Sequence, residues 1–358
     1  MSHYLMVDIG AGTMDVLWYD TEADLHYKAV VKSPVKYIAE KAFELPGDLV
    51  VTGTEMGGGP ITQILKQRAK EDQIVMSISA AATLNHNLEK VRSWGIDIVE
   101  DAQADDLRSD KKYASLVLSD LDAGRLRQIV AGFGVPFSFD AMAICAQDHG
   151  VPPPGTSHLD FRHNMFKNRL EEGPYPHALL CEPDEIPAAM NRLSSIAQSA
   201  EVIPTEEIYV MDSGMAAILG GSMDILARNR RKIVILDVAT SHTVGAAMLG
   251  EEIAGFFEYH THDITLERLE ELIRNLCDGK LEHRQILEEG GHGAYHRKTV
   301  QFKTVDTIIA TGPKRRLVET SNLQIAFGAP LGDNMMTGTV GLLEALRRRK
   351  SLEPINYL

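Results

Sequence analysis

The sequence predicts a two-lobed α/β protein built from a divergent internal duplication, and three observations carry that prediction. The order strand, turn, strand, turn, strand, helix, strand occurs twice, over residues 3–54 and again from residue 232 to about 311. An aspartate closes the first strand of each copy, Asp8 in MVDIGAG and Asp237 in KIVILDV. The chain of 358 residues, 44% hydrophobic and 24% charged, is long enough for two well-buried cores.

In the first copy, the apolar run before Gly10 and the segment VLWYD are strands joined by a glycine-rich turn. DTEA is a turn and LHYKAVVKS a third strand, rich in β-branched and aromatic residues. PVKYIAEKAFEL is a helix with proline at its first position, and DLVVTGT a further strand. In the second copy KIVILDV, HTVGAAML and EIAGFFEYH are strands. DITLERLEELIRNLC is an amphipathic helix expected to be capped by Asp263, with Leu266, Leu269, Leu272, Ile273 and Leu276 on its apolar face. TVDTIIATG closes the copy.

Between the copies, residues 55–205 are mixed. MGGGPITQILKQRAK is a glycine loop opening a helix, equally suited to an anion or to tight packing. HGVPPPGTS is an extended proline-rich loop, and EDAQADDLRSD a solvated loop and helix start.

Bulk properties exclude several classes of function. A net charge of −14 argues against nucleic-acid binding, and the basic clusters at 228–232 and 347–350 sit before a strand and at a helix end. No apolar run approaches the roughly 20 residues of a membrane helix. The N-terminus enters a strand by Tyr4, which leaves no room for a signal peptide. Cys145, Cys181 and Cys277 form no CxxC pair, as suits a reducing, cytoplasmic setting.

The stretch DIGAGTMD is a phosphate-binding candidate. A P-loop needs GxxxxGK[ST], and no lysine follows in place. A dinucleotide fold needs GxGxxG opening a helix, whereas here Asp15 takes the third position and a strand follows. What remains is a β-hairpin with its turn amides toward a phosphate and an acid placed for a metal.

DIGAGTMD resembles the first phosphate motif of the actin, sugar-kinase and heat-shock-chaperone ATPase superfamily, and four further segments extend the resemblance. LDVATSHTVGAAM is similar to the second phosphate motif, with Ala239 and Ser241 in place of glycines and His242 in place of threonine. VMDSGMAAILGGSMD resembles the first connecting helix, headed by Asp212. IIATGPKRRL resembles the adenosine motif, and FGAPLGDNMMTGTVGLLEALRRR the second connecting helix. More narrowly, AQDHG, GFFEYHT and EGGHGAY are similar to a family labelled pyruvate formate-lyase activating enzyme-like. A literal radical activating enzyme would need a CxxxCxxC cluster motif, which these cysteines do not form.

The resemblance implies an actin-like ATPase fold with ribonuclease H-like duplicated βββαβα domains and an insertion in the first lobe. The first lobe is expected over 1–212, with the insertion at about 55–205, and the second over 213–335; a C-terminal helix in 336–358 would return to the first. It implies Mg²⁺ and ATP in the cleft between the lobes, with Asp8 and Asp237 holding the metal mostly through its waters. Gly10, Gly12 and Thr13 would bind the β- and γ-phosphates, with Asp15, Ser241, Thr243 and Gly312 completing the nucleotide site. Asp212 would orient or deprotonate the nucleophile, although a plain helix cap is the competing reading.

Asp148, in Gln147-Asp148-His149-Gly150 at a strand end, is a second catalytic candidate. His260, His262, His283, His292 and His296 could ligate a metal, but no helical pattern spans GGHGAYH, so substrate-facing or surface roles are the expectation. Activity stays open between a phosphotransferase acting on a small metabolite and an ATP-driven helper of a partner enzyme. A binding protein without turnover is the third option, and a protein partner or homo-oligomer is compatible with each.

Overall fold

The computed structural model describes residues 2–153 and 155–357; Pro154 of the proline-rich segment and Leu358 of the C-terminal region lie outside the described residues. Among the described residues fifteen strands form three sheets. The chain begins with the meander β1 (His3–Ile9), β2 (Thr13–Asp20) and β3 (Leu25–Lys32). It leaves through the helix Pro34–Glu44, whose first turn is capped by the Ser33 hydroxyl. Next come β4 (Leu49–Gly53), β5 (Ile74–Ser77), β6 (Ile96–Val99) and β7 (Ala114–Leu118), then β8 (Phe139–Ala146) and β9 (Thr205–Asp212). The second half holds β10 (Lys232–Val238), β11 (His242–Leu249), β12 (Glu252–His260), β13 (Gly293–His296), β14 (Thr307–Thr311) and β15 (Ile325–Phe327).

The duplication is a property of the sheets. The first is ordered β3-β2-β1-β8-β9, with β1 antiparallel to β2 and parallel to β8. The second is ordered β13-β12-β11-β10-β14-β15, with β10 antiparallel to β11 and parallel to β14. Apart from the added edge strand β13, the two orders coincide: this is the two-lobed, duplicated α/β architecture of the actin-like ATPases. Asp8 and Asp237 occupy the same step of the two ladders, opposite Cys145 and Thr311 respectively.

One strand departs from the sequence reading. The repeated order makes DLVVTGT the counterpart of TVDTIIATG as the closing strand of its copy, yet β4 lies in a separate four-stranded sheet, β6-β5-β4-β7, with its own apolar core around Leu49, Val51, Leu65, Met76 and Leu116. The counterpart of β14 is β8. The separate sheet takes the chain from β4 to β7, after which it joins the first sheet at β8, inside the expected 55–205 span, and at β9, which starts where that span ends. The cap expected at Asp263 also moves: Thr265 caps the helix Leu266–Asp278, while Leu269, Leu272, Ile273 and Leu276 are buried as the pattern requires.

Two helices cross between the lobes. The first connecting helix, Ser213–Ser222, packs on β10 and β11; the second, Thr337–Arg349, packs on β1, β8 and β2, and the two pack on one another. They meet backbone to backbone. A Cβ added to Gly220 would stand 1.8 Å from the Thr337 carbonyl oxygen, and one added to Gly341 1.8 Å from that of Ala216. Gly341→Ala is therefore expected to destabilise the fold by about 3 kcal/mol, because the obstacle is backbone and cannot rotate away. Denaturant unfolding checks this, and a midpoint unchanged from wild type would contradict the close crossing. The basic cluster at the end of the second helix is paired internally: Arg347 and Arg348 with Glu344, Arg349 with Glu182 and Glu185, Lys350 with Glu207. Among the described residues no helix is long and apolar enough to cross a membrane.

Candidate functional site

A cavity of about 370 Å³ lies where the two duplicated hairpins face each other. Its wall includes the β1–β2 turn, the β10–β11 turn, and the starts of three helices at Gly59, Ser213 and Thr337. The turns are built alike. The Gly10 amide donates to the Thr13 carbonyl at 3.0 Å, and the Ala239 amide to the His242 carbonyl at 3.0 Å. The Ser33 hydroxyl donates to the Gly10 carbonyl at 2.6 Å, and the Thr261 hydroxyl to the Ala239 carbonyl at 2.9 Å. Neither turn uses a left-handed residue, so Ala239 and Ser241 cost the backbone nothing where the family motif has glycine. The glycine of the first turn answers to proximity instead: a Cβ on Gly12 would stand 2.7 Å from the Thr240 hydroxyl across the cleft.

Asp8, Asp15 and Asp237 all reach this cavity. Asp15 stands opposite Asp8 in the β1–β2 register, and one of its carboxylate oxygens is buried with no partner. Burial pushes Asp8 up to about 7; the Cys145 thiol opposes this, and the charges of Asp237 and Asp212 add to it. Burial and then the charge of Asp8 raise Asp15 to about 8. Burial raises Asp237 to about 6 against a hydrogen bond from the Thr311 hydroxyl, 3.1 Å away. The two cations on the wall are already committed: Arg192 bidentately to Asp120, Arg162 to Asp212 and Glu258. Three crowded carboxylates with an orphaned oxygen and no free cation on the wall fit a bound divalent ion.

Two glycines guard these acids. Gly312, in the adenosine segment, has φ +87° and its Cβ would meet the Val238 carbonyl at 2.6 Å and the Asp237 carboxylate at 2.8 Å. Gly338, in the first turn of the second connecting helix, would place a Cβ 2.0 Å from the Asp8 carboxylate.

The remaining predicted residues divide. Gly10, Gly12, Thr13, Ser241 and Gly312 line the cavity. Thr243 does not: strand alternation turns it away, fully buried, onto the Thr261 hydroxyl at 3.0 Å. Asp148 is likewise corrected. It is buried, and its oxygens accept from the amides of Gly150 and Leu193 at 2.8 and 3.0 Å, holding a loop to a helix. Asp212 caps its helix through the Met215 amide and gives its other oxygen to Arg162 at 3.0 Å. With both oxygens engaged and the side chain off the cavity wall, it is not placed to take a proton from a nucleophile. Gly57 and Gly58 line the cavity, and a Cβ on Gly58 would strike the Thr83 carbonyl at 2.3 Å, which accounts for the glycine there by tight packing.

At the far end of the cavity Gln147 and His149 line the wall, as their place at a strand end predicts, whereas Arg162 and Glu258 are new there. Arg162, on the helix His158–Glu172, bridges Asp212 and Glu258, and donates to the Asp148 carbonyl at 3.0 Å. Gln147 donates to Glu258. Burial would raise Glu258, but the charge of Arg162 outweighs it and holds the carboxylate well below its usual range. His149 and His242 line the same end, and burial first of all drives both down to about 3, so they are neutral. A glutamate inside the otherwise apolar run EIAGFFEYH was the one visible signal for Glu258; nothing in the sequence around Arg162 pointed to it.

The family model described as "Putative pyruvate format-lyase activating enzyme (DUF1786)" matches residues 56–317, well over half of the chain. The chain belongs to this family. Its cysteines do not suit the chemistry in the description: Cys145 and Cys181 are free and buried in one apolar core and Cys277 in another, so these residues do not fit an iron–sulfur cluster. No match was found among curated proteins. Solved structures with a similar trace include the ethanolamine utilization protein EutJ from Carboxydothermus hydrogenoformans, at 11% identity, covering 97% of this chain and 90% of that one, TM-score 0.34. The AlfA filament from B. subtilis plasmid pLS32 gives 10%, 96%, 98% and 0.41 in the same order, and the ROK hexokinase from Thermus thermophilus 11%, 98%, 99% and 0.33. Likeness this distant says nothing of ligand or activity.

Proposed function

We propose that this member of the family binds Mg²⁺ and ATP between its lobes and transfers the terminal phosphoryl group to a small substrate. The convergence of Asp8, Asp15 and Asp237 beside two paired hairpin turns supports this reading most directly. Asp8 and Asp237 would hold the metal, with Asp15 near it; bound there, it would neutralise charge on the phosphates. Gly10, Gly12, Thr13 and Ser241 offer amides and hydroxyls to the phosphates, supported by the helix starts at Ser213 and Thr337. Gly312, with Pro313, Asn334 and Met335 along the wall, offers the surface for the nucleoside.

The polar end formed by Gln147, His149, Arg162 and Glu258 suits a small hydroxyl or carboxyl substrate and favours transfer over a partner-remodelling role. Arg162 fixes Glu258 and Asp212 rather than acting on the phosphates, and phosphoryl transfer asks more for such positioning than for a strong base. Calorimetric titration with ATP and ADP, with and without Mg²⁺, tests the reading; Mg²⁺-dependent micromolar binding is expected, and no heat with either nucleotide would end it.

The raised carboxylates add a pH signature. Below their folded pKa values the acids hold protons that the metal must displace, so Mg²⁺ binding is expected to release protons and to weaken about tenfold or more from about pH 8 to about pH 6. Stability of the metal-free protein runs the other way. A carboxylate whose pKa is raised on folding stabilises the fold below its unfolded value and loses that contribution as pH rises through about 6 to 8. Melting temperatures across this range, with and without Mg²⁺, check both signs.

A further inference from the structure

His242 at the start of β11, His260 at the end of β12 and His292 just before β13 come together at the substrate end of the cleft. One ring nitrogen from each lies within 4.8 Å of those of the other two. The Nε2 atoms of His260 and His292 are 3.0 Å apart, and the ring centroids within the trio are 4.4 to 4.7 Å apart. One of the rings is oriented from behind. The Ser241 hydroxyl meets His242 Nδ1 at 2.9 Å, leaving its Nε2 buried and without a partner. Glu258, itself clamped by Arg162 and Gln147, stands 3.4 Å from His292 Nδ1. His292 Nδ1 makes no hydrogen bond, so two of the three rings, His242 and His292, each leave a buried nitrogen without a partner; a hydroxyl holding one nitrogen while the other is left free, as at His242, is how metal-binding imidazoles are usually set.

We propose that His242, His260 and His292 form a three-histidine site for a divalent transition-metal ion of the Zn²⁺ class, separate from the carboxylate site for Mg²⁺. Neutral imidazoles suit zinc and its neighbours, whereas magnesium takes oxygen ligands. Three histidines leave the ion's remaining position for water or an oxygen of the substrate. His242 and Glu258 line the cavity, so that position would lie on the substrate's side of the proposed phosphoryl-transfer site.

The test uses the full chain without a histidine tag, stripped by chelation and titrated with Co²⁺, a spectroscopic stand-in for Zn²⁺. One equivalent should give visible d–d bands that Zn²⁺ then displaces. His260→Ala and His292→Ala should each abolish the bands, and Ser241→Ala should weaken binding by about 10–100-fold by freeing the His242 ring. His262→Ala, exposed beside the trio, should change nothing. Absence of a one-equivalent signal in the wild type, bands surviving in both His260→Ala and His292→Ala, or loss in His262→Ala would each overturn the site. Asp8→Ala should keep the Co²⁺ signal while losing Mg·ATP, so this proposal and the nucleotide reading can fail separately.

Discussion

Asp8→Ala is expected to weaken Mg²⁺-dependent ATP binding by on the order of 100-fold or more while leaving the fold as stable as the wild type or more so. The two halves of that expectation have one cause. Asp8 is pressed against the charges of Asp237 and Asp212 in a site with no free cation on its wall, so in the absence of metal its carboxylate is a strain that alanine removes. When Mg²⁺ is present the same carboxylate supplies attraction; unit charges about 4 Å apart at an effective dielectric of 20 interact by about 4 kcal/mol, which easily covers a 100-fold loss. A merely structural acid would behave in the opposite way, losing stability and leaving ligand binding alone. Calorimetry and thermal unfolding on one preparation separate the cases, and a destabilised variant with unchanged binding would remove Asp8 from the proposed site. Gly338→Ala should be a milder copy of the same defect, because its methyl group would displace the Asp8 carboxylate without removing it.

Arg162→Met should produce the largest loss of stability, about 3–5 kcal/mol, measured as a lowered unfolding midpoint. Arg162, Asp212 and Glu258 are all buried, and deleting the shared cation strands two carboxylates away from water. Adding Glu258→Gln should restore part of that loss, since one of the stranded charges disappears. A double-mutant cycle measures the coupling, and strictly additive losses would mean that the bridge is not formed. Because Asp212 heads the first connecting helix and Glu258 sits in β12, the bridge ties the helix between the lobes to the second sheet.

Sequence pattern was a good guide wherever the deciding interaction is local. The hairpins β1–β2 and β10–β11 were legible because strand alternation and turn residues lie within a few positions of one another. So were the two connecting helices, whose glycines advertise close packing. The helix cap sits at Thr265, two residues beyond Asp263, because either side chain can close a first turn and only the chain's path selects one.

Other features are set by partners distant in the chain. An apolar run announces a strand without naming its sheet, so β4 read as part of the first sheet although it pairs with β5 and β7. Asp148 ends a strand beside the cleft, yet amides at 150 and 193 turn it inward. Thr243 and His242 are neighbours in sequence, but the pleat sends them to opposite faces. The histidine trio shows the same dependence most fully: His242 and His260 are partners in the β11–β12 register, and His292 joins them only because β13 pairs with β12.

By itself, then, the sequence determined the duplicated architecture, the two acids at its equivalent strand ends and the small-residue turns beside them, because each is written in a local pattern that occurs twice. Tertiary structure alone decided which acids face the cleft, which are consumed by caps and ion pairs, and that Arg162, Glu258 and three histidines meet at its far end. Those outcomes depend on strand register and on charge pairing across a hundred residues or so, which no local periodicity encodes.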